Sequence, residues 1–278
     1  MLERPEGVNS LSRLLREIPH PSGDALESGV DVIGDIAIVR YDPSRDMRTI
    51  GKKIIELLKN VRAVYGQEGG IEGEFRLRRL RHLAGEQGTV TLHRENGCQF
   101  RLDVAKCYFS PRLSTERLRI AEMARDGEQI LNMFAGVGVY SVTVAKKREV
   151  HVESCELSRT AFEFHVENNR LNKVASRVNA VNDDAANLPS ILKKKFDRIL
   201  MPHPSKANKF IDAALALARE GGIIHYYRHV SAENLVEAKE VLDDELAPIL
   251  PHRSETKVRK VREVGKRYLE LAADIKLP

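Results

Sequence analysis

Residues 131–145 hold the pattern most informative about chemistry, because an apolar run passes into a glycine turn and then into a segment with helical spacing. The turn is Ala135-Gly136-Val137-Gly138. Glycine lets the backbone approach a ligand where a Cβ would collide. In an open α/β sheet such a turn lies at the carboxyl ends of the strands, where cofactors bind. By itself, the glycine pair is equally compatible with a plain tight turn.

Acidic residues end the next two predicted strands. Glu156 follows the strand predicted for residues 149–155, and Asp183 and Asp184 follow the strand predicted for residues 177–182. Dinucleotide folds place an acid near this spacing, where it binds the ribose hydroxyls. Position 141 is Ser rather than the third glycine of the dinucleotide fingerprint, which favours a ligand with a ribose and no pyrophosphate, such as S-adenosylmethionine. The alternative is that these carboxylates are solvated strand ends.

Composition predicts a globular protein in a reducing compartment. The chain has 278 residues, 42% of them hydrophobic, and no apolar run approaches the length of a membrane span. The N-terminus lacks the apolar region of a signal peptide. Three widely spaced cysteines form no metal-ligand pattern, so we expect no metal site. We therefore expect a cytoplasmic location.

Three basic clusters indicate a nucleic-acid partner, although each alone is compatible with a solvated face. They lie at residues 76–82, 193–195 and 257–262, in a chain with a net charge of +5. Such clusters suit a phosphate backbone, and three of them in one chain favour a nucleic-acid partner.

The order of predicted elements divides the chain into residues 1–110 and 111–278. The first part mixes helices, at residues 10–18 and 47–59, with strands and turns, one of them at Gly69-Gly70. From residue 129 onward strands alternate with helices, including helices at 186–195 and 206–219 and a strand at 222–229, and the chain ends in a hairpin. This predicts an α/β fold with a mostly parallel sheet, the layout of class I (Rossmann-like) methyltransferases, preceded by a smaller α+β domain.

The sequence also resembles a known family, the archaeal and eukaryotic class of tRNA (guanine-37-N1)-methyltransferases, together with their paralogue, the aminocarboxypropyltransferase of wybutosine synthesis. The resemblance runs from about residue 10 to the C-terminus. The motifs that carry it are Gly73-Glu-Phe-Arg76, His82-Leu-Ala-Gly-Glu86, Glu95-Asn-Gly97, Asp103-Val-Ala-Lys106, Tyr108-Phe-Ser-Pro-Arg112, Glu116-Arg117, Met133-Phe-Ala-Gly-Val-Gly138, Leu171-Asn-Lys173 and Gly221-Gly-Ile-Ile-His-Tyr-Tyr227.

The resemblance implies S-adenosylmethionine as the cofactor and guanine-37 of tRNA as the methylated base. Glu116 matches the family's general base, and Arg76 matches the arginine that contacts guanine O6. The arginine of Phe109-Ser-Pro-Arg112 favours the methyltransferase over its paralogue. The residues expected to bind the cofactor are Phe109, Arg112, Met133, Phe134, Ala135, Gly136, Val137, Gly138, Glu156, Leu157, Asp183, Asp184 and Met201. For Glu116 the alternative is an ordinary ion-paired helix carboxylate, and for Arg76 a phosphate contact.

Two positions depart from the family's pattern. The family has Met-Asn-Leu-Pro after the fourth strand, where this chain has Met201-Pro202-His203-Pro204, and Asn132 replaces the family's Asp. Proline has no side-chain amide and no backbone N–H, so Pro202 cannot contact the target base as that asparagine does. We therefore expect His203 and Pro204 to complete the catalytic set, with a solvent-facing His203 as the alternative.

Three functions remain open from the sequence: methyl transfer to guanine-37, aminocarboxypropyl transfer to a modified guanine, and an inactive tRNA-binding relative. Many family members carry a further N-terminal domain that binds the tRNA elbow, and this chain begins after it. We therefore expect contacts to concentrate on the anticodon stem-loop, made by a monomer.

Overall fold

The computed structural model describes residues 30–278, so the helix predicted for residues 10–18 lies outside the described part. The described residues form two compact units. The first comprises residues 30–94 and 101–111, and the second comprises residues 95–100 and 112–278. None of the helices in residues 30–278 is long and apolar enough to cross a membrane.

The first unit is a four-stranded sheet with one helix. Its elements are β1 Asp31–Ile33, β2 Ile36–Arg40, α1 Met47–Leu57, β3 Ala63–Glu72 and β4 Leu77–Gly85. The strands lie in the order β1-β2-β3-β4; β2 and β3 are parallel, and the outer pairings are antiparallel. The helix therefore serves as the crossover that a parallel strand pair requires.

Helix α1 forms where the sequence supplies both a cap and an apolar face. Asp46 accepts a hydrogen bond from the backbone N of Thr49, which satisfies one free donor of the first turn. Met47, Ile50 and Ile54 recur at helical spacing and are buried against the sheet. The predicted turn at Gly69-Gly70 is wrong, because these residues lie inside β3, where a bulge accommodates them.

A hairpin of β5 Val90–Glu95 and β6 Cys98–Asp103 follows. Its turn, Asn96-Gly97, has φ values of 49° and 72°, and this Asn-Gly pair is a common choice for a two-residue hairpin turn. Residues 95–100 belong to the second unit. There the side-chain amide of Asn172 donates to the carbonyl of Gln99 and accepts from its N–H, at 2.6 and 2.8 Å.

The second unit is a seven-stranded sheet with helices. Its strands are β7 Gln129–Asn132, β8 His151–Cys155, β9 Val178–Val181, β10 Phe196–Met201, β11 Ala218–Ser231, β12 Glu255–Gly265 and β13 Tyr268–Lys276. Its helices are α2 Ser114–Met123, α3 Val139–Lys147, α4 Arg159–Leu171, α5 Leu188–Ile191, α6 Ile211–Leu217 and α7 Leu235–Leu246, with 3₁₀ turns at Pro111–Leu113, Ala185–Asn187 and Ala207–Phe210.

The strand order is β12-β13-β11-β10-β7-β8-β9, with parallel pairing from β11 to β9 and antiparallel pairing of β13 with both neighbours. The predicted α/β class I methyltransferase fold, with its terminal antiparallel hairpin, is confirmed. The carboxyl ends of β7, β8, β9 and β10 share one edge, because these strands run parallel. The glycine turn and the predicted acids follow strands at this edge.

Three predicted elements differ from the structure. The helix predicted at 186–195 is a 3₁₀ turn followed by the four-residue α5, and the helix predicted at 206–219 divides into a 3₁₀ turn and α6. The strand predicted at 222–229 extends over Ala218–Ser231. Its antiparallel pairing with β13 continues as far as Ser231, so tertiary pairing rather than local pattern sets its length.

Candidate functional site

The glycine turn occupies the six residues between β7 and α3. Gly136 has a φ of 56° and Gly138 a φ of 89°, a left-handed conformation that costs glycine nothing sterically. A Cβ built on Gly136 would meet no atom of residues 30–278 within 4 Å. The space over Gly136 is therefore open to a ligand.

The apolar residues of the turn face inward. Met133, Ala135 and Val137 are all buried. The N–H of Ala135 donates to the carbonyl of Cys155 at 2.8 Å, and the carbonyl of Val137 accepts from the side-chain amide of Asn168 at 2.9 Å. Their side chains are committed to the core, and the cofactor contacts predicted for these residues stay predictions.

Glu156 lies directly against the glycine turn. Its Oε2 accepts a hydrogen bond from the N–H of Gly136 at 2.7 Å, and its Oε1 accepts from the N–H of Ser158 at 2.8 Å. Burial raises the pKa of Glu156, although its hydrogen bonds from backbone N–H groups oppose that shift. The structure thus brings the predicted ribose-binding acid to the predicted cofactor turn.

Asn132, which stands where the family has Asp, takes part in a buried hydrogen-bond network. Its amide donates to the hydroxyl of Ser141 at 3.0 Å, and its carbonyl oxygen accepts from the N–H of Phe134 at 3.3 Å. Ser154 also donates to Ser141, at 2.7 Å. An ionised aspartate has no proton to donate to Ser141, whereas the amide supplies a donor and an acceptor without a buried charge.

Asp183 and Asp184 organise the loop after β9. Oδ1 of Asp183 accepts from the N–H of Asp184 at 2.7 Å and from the side-chain amide of Asn187 at 2.8 Å. Asp184 caps the following 3₁₀ turn through Ala186. Leu157, by contrast, is an exposed apolar side chain beside Glu156. The cofactor contacts predicted for these three residues remain predictions.

The segment after β10 brings His203 to the glycine turn. Met201 is fully buried at the end of the strand. The ring of His203 packs edge-on against Phe134, with centroids 5.3 Å apart, and Phe134 in turn packs against Phe210 at 5.1 Å. The carbonyl of Pro204 accepts from the N–H of His229. The ring of His203 thus lies partly buried beside a predicted cofactor residue, and its role in catalysis stays a prediction.

Glu116, in the first turn of α2, is enclosed by donors and is only 2% exposed. Oε1 accepts from Arg119 at 2.7 Å and from the hydroxyl of Tyr227 at 2.7 Å. Oε2 accepts from Arg119 at 3.0 Å and from Arg259. Burial raises the pKa of Tyr227 well above its usual value, so its hydroxyl keeps the proton that it donates. Tyr227, in turn, lies beside Tyr140 of helix α3, with ring centroids 6.2 Å apart.

A network of buried polar groups extends from this carboxylate. No sequence motif predicted it. Arg119 also donates to Asp274, at 2.6 and 3.1 Å. Asp274 accepts from Nδ1 of His225 at 2.5 Å, and Nε2 of His225 faces Arg198 at 2.6 Å. Because arginine only donates, Nε2 is the acceptor and the proton of the neutral imidazole lies on Nδ1. Arg198 is paired with both oxygens of Glu128.

The pKa shifts in this hydrogen-bond network keep Asp274 ionised and His225 neutral. Burial lowers the pKa of His225, and the hydrogen bond to Asp274 only partly offsets this. Burial would raise the pKa of Asp274, but the hydrogen bonds from His225 and Arg119 bring it well below its usual range. Glu116 thus stands at one end of a network whose other charges are fixed.

Two of the remaining predicted site residues belong to the first unit, and the third opens the second unit. Arg76, in the first unit, has a positive φ of 54°, and its guanidinium lies 4.2 Å from the ring centroid of Tyr108. Phe109, also in the first unit, is buried and packs edge-on against His93 at 4.8 Å. Arg112 lies in the 3₁₀ turn that opens the second unit and is partly buried. Arg76 adopts its positive φ as the last residue of the turn between β3 and β4.

Comparison with known sequences identifies relatives of both units. The TRM5/TYW2 methyltransferase domain matches residues 91–246, and the TYW2 N-terminal domain matches residues 11–89. The Trm5b tRNA (guanine(37)-N(1))-methyltransferase of Pyrococcus abyssi is 43% identical over 77% of this chain and 64% of its own length. The chain spans 57% of a second Trm5b, from Methanocaldococcus jannaschii. A tRNA(Phe) (4-demethylwyosine(37)-C(7)) aminocarboxypropyltransferase of Pyrococcus horikoshii is 36% identical over 82% of this chain and 81% of its own length.

Solved structures with the same fold include complexes. The complex of aTrm5 with tRNALeu superposes with a TM-score of 0.82 and 30% identity, covering 100% of this chain and 80% of that one. The Methanocaldococcus jannaschii Trm5 in complex with adenosine gives a TM-score of 0.77 at 30% identity, covering 90% and 72%.

Proposed function

This chain belongs to the TRM5/TYW2 methyltransferase family, and we propose that it transfers a methyl group from S-adenosylmethionine to N1 of guanine-37 in tRNA. The observation that carries the proposal is the contact between the Glu156 carboxylate and the N–H of Gly136, at 2.7 Å, beside an open glycine turn. It places an acid and a glycine turn together at the carboxyl edge of a parallel sheet, where a ribose-bearing cofactor binds.

The described residues fit S-adenosylmethionine. A carboxylate oxygen has a lone pair beyond the one used by each backbone N–H, so Glu156 can accept from ribose hydroxyls. The backbone of residues 133–138 offers a surface that no Cβ obstructs at Gly136. When bound, the cofactor supplies an electrophilic methyl group. Asp183, Asp184, Leu157 and Met201 follow or end neighbouring strands, and we propose that they complete this site together with Phe134 and Arg112. The cofactor contact predicted for Phe109, a residue of the first unit, stays a prediction.

The chain's own residues have separable tasks in the reaction. Methylation of guanine N1 requires removal of the N1 proton and stabilisation of charge on O6. We assign removal of the N1 proton to Glu116 and the contact with O6 to Arg76. We assign recognition of the base to His203 and Pro204. The target base leaves its stack to be methylated, so the enzyme also holds the surrounding RNA, and the basic clusters serve that purpose.

We propose tRNA as the partner, contacted through the anticodon stem-loop by a monomer in the cytoplasm. The similarity to aTrm5, whose structure contains tRNALeu, supports tRNA as the substrate class. An isolated anticodon stem-loop should then be methylated nearly as well as whole tRNA. If whole tRNA is far superior, contacts outside the stem-loop are required and this part of the proposal fails.

A second candidate function is aminocarboxypropyl transfer to a modified guanine-37. Two observations favour keeping it: the TYW2 N-terminal domain matches residues 11–89, and the aminocarboxypropyltransferase relative spans most of the chain. The two reactions transfer different groups from the same cofactor, so the mass of the modified nucleoside distinguishes them.

The deciding experiment incubates the protein with S-adenosylmethionine and unmodified tRNA transcript, followed by nucleoside mass spectrometry. Our proposal predicts 1-methylguanosine at position 37. A parallel reaction with tRNA carrying 4-demethylwyosine tests the second candidate, which predicts an aminocarboxypropyl adduct instead. Binding of tRNA with neither product would leave the inactive relative as the correct description.

A further inference from the structure

The two oxygens of the Glu116 carboxylate are held unequally. Oε1 is bound by Tyr227, which is 1% exposed, and by Arg119, whose position is fixed by its second partner, Asp274. Oε2 is bound by Arg119 and by Arg259. Removal of Arg259 would leave Oε1 fully held and Oε2 with one free side.

Arg259 differs from the other partners in exposure and in location. Its side chain is 38% exposed, against 21% for Arg119. It comes from β12, which lies at the outer edge of the seven-stranded sheet and, within residues 30–278, pairs with β13 alone. A long arginine side chain on an edge strand can swing outward without disturbing the core, whereas Tyr227 and Arg119 cannot leave without unpacking it.

We propose that Arg259 is a latch that covers Oε2 of Glu116 and moves away when RNA binds, which exposes Oε2 as the oxygen that accepts the guanine N1 proton. The inference rests on the proposed function, since it concerns the same proton transfer. Tyr227 and Arg119 act as positioning residues, because they hold the carboxylate through Oε1 while the latch opens.

RNA supplies the free energy that opens the latch. A ligand shifts a conformational equilibrium only through its different affinity for the two states. Arg259 lies within the basic cluster at residues 257–262, where Lys257 and Lys260 are exposed. A phosphate can replace the carboxylate as the partner of the Arg259 guanidinium, with bidentate geometry and the same sign of charge. Opening of the latch thus replaces the ion pair of Arg259 with Glu116 by an ion pair of Arg259 with a phosphate.

The latch predicts opposite changes in affinity and in rate. In Arg259→Gln, tRNA affinity should fall, because a phosphate contact is lost. RNA shifts the latch towards the open state without opening it completely, so the single-turnover rate of methyl transfer at saturating tRNA and cofactor should rise in Arg259→Gln. The rise should be at most about fivefold, the upper range for an ion pair with a partly exposed partner. Arg259→Lys keeps the charge but loses the planar, two-pronged donor geometry of the guanidinium. Its tRNA affinity and saturated rate should therefore lie between those of the wild type and Arg259→Gln. Lys266→Gln removes an exposed charge from the same hairpin and should leave the saturated rate unchanged.

A saturated rate in Arg259→Gln that is unchanged or lower than that of the wild type would overturn the latch, because Arg259 would then be neutral or required in the transition state. In the Glu116→Gln background the accelerating effect of Arg259→Gln should vanish. Persistence of the acceleration would show that Arg259 acts through another group.

A second measurement does not depend on activity. Urea unfolding of the wild type, Glu116→Gln, Arg259→Gln and the double variant should give a coupled, non-additive change in the unfolding equilibrium of about threefold or more. Additive effects would overturn the closed pair. If the wild type modifies no tRNA at all, the proposed function fails; if the wild type is active and the Arg259 variants do not accelerate, only the latch fails.

Discussion

The imidazole of His165 lies so close to Gly138 that a Cβ built on the glycine would stand 2.2 Å from Cδ2 of the histidine. His165 belongs to helix α4 and is fully buried, and among the described residues neither of its ring nitrogens has a hydrogen-bond partner. The second glycine of the turn is therefore required by the protein's own packing. The first glycine, Gly136, faces open space instead, so glycine suits the two positions for different physical reasons.

This relationship predicts that Gly138→Ala destabilises the protein more than Gly127→Ala. Both glycines have nearly the same φ, 89° and 85°, so both variants carry the same left-handed strain. A Cβ at Gly127 meets no atom within 4 Å. We expect the free energy of unfolding to fall by about 1–3 kcal/mol more for Gly138→Ala, the usual cost of overpacking. Chemical denaturation measures the difference, and equal losses would show that the His165 ring can move aside.

His165 should also make stability depend on pH. Burial lowers its pKa from 6.5 to about 4, so the folded protein keeps the imidazole neutral where the unfolded chain protonates it. The unfolded state binds more protons between pH 6.5 and 4, and stability must therefore fall as pH falls through that window. Between pH 7 and 4, the free energy of unfolding of His165→Leu should therefore fall by up to about 3 kcal/mol less than that of the wild type. Parallel curves for the two proteins would contradict burial of a neutral histidine.

Glu156→Ala should weaken S-adenosylmethionine binding by about 10- to 100-fold, because a charge-assisted hydrogen bond contributes about 1.5–3 kcal/mol. Calorimetric titration measures the affinity, and a thermal melt checks that the turn still folds without the contact to Gly136. Glu153→Ala is the matched control: Glu153 lies on β8, three residues before Glu156, but is bound to Lys194 and Asn179. Unchanged affinity in Glu156→Ala would remove the residue from the cofactor site.

His203→Ala should reduce methylation of guanine more than it reduces cofactor binding. A neutral imidazole offers one donor and one acceptor, enough to contact a guanine edge, and its ring is already positioned by Phe134. Single-turnover rates and cofactor titration, measured on the same preparation, separate the two effects. His203→Phe controls for loss of the edge-on ring contact, since it keeps an aromatic ring without the polar atoms. Wild-type turnover in His203→Ala would leave recognition of the base to other groups.

The alternation of apolar runs with helical spacing was sufficient to predict the parallel sheet, because a buried strand and an amphipathic helix each follow from local periodicity. The same local rules failed at Gly69-Gly70, where glycines that resemble a turn form a bulge inside a long strand. They also failed for the short α5 and α6. In these segments, pairing and packing across the sheet override local preference.

The candidate cofactor site was predictable for the same reason. Parallel strands carry their carboxyl ends to one edge, so an acid that follows β8 and a glycine turn that follows β7 must meet there. The sequence thus determined the edge, the turn and Glu156.

The surroundings of Glu116 were decided only by the tertiary structure. Tyr227, Arg259 and Asp274 are 111 to 158 residues away along the chain, on β11, β12 and β13, and no local spacing relates them to helix α2. They reach one another because the antiparallel hairpin closes the sheet beside that helix. Periodicity specifies which face of an element is buried, whereas contacts between charges on distant elements depend on register and strand order, which local patterns do not encode.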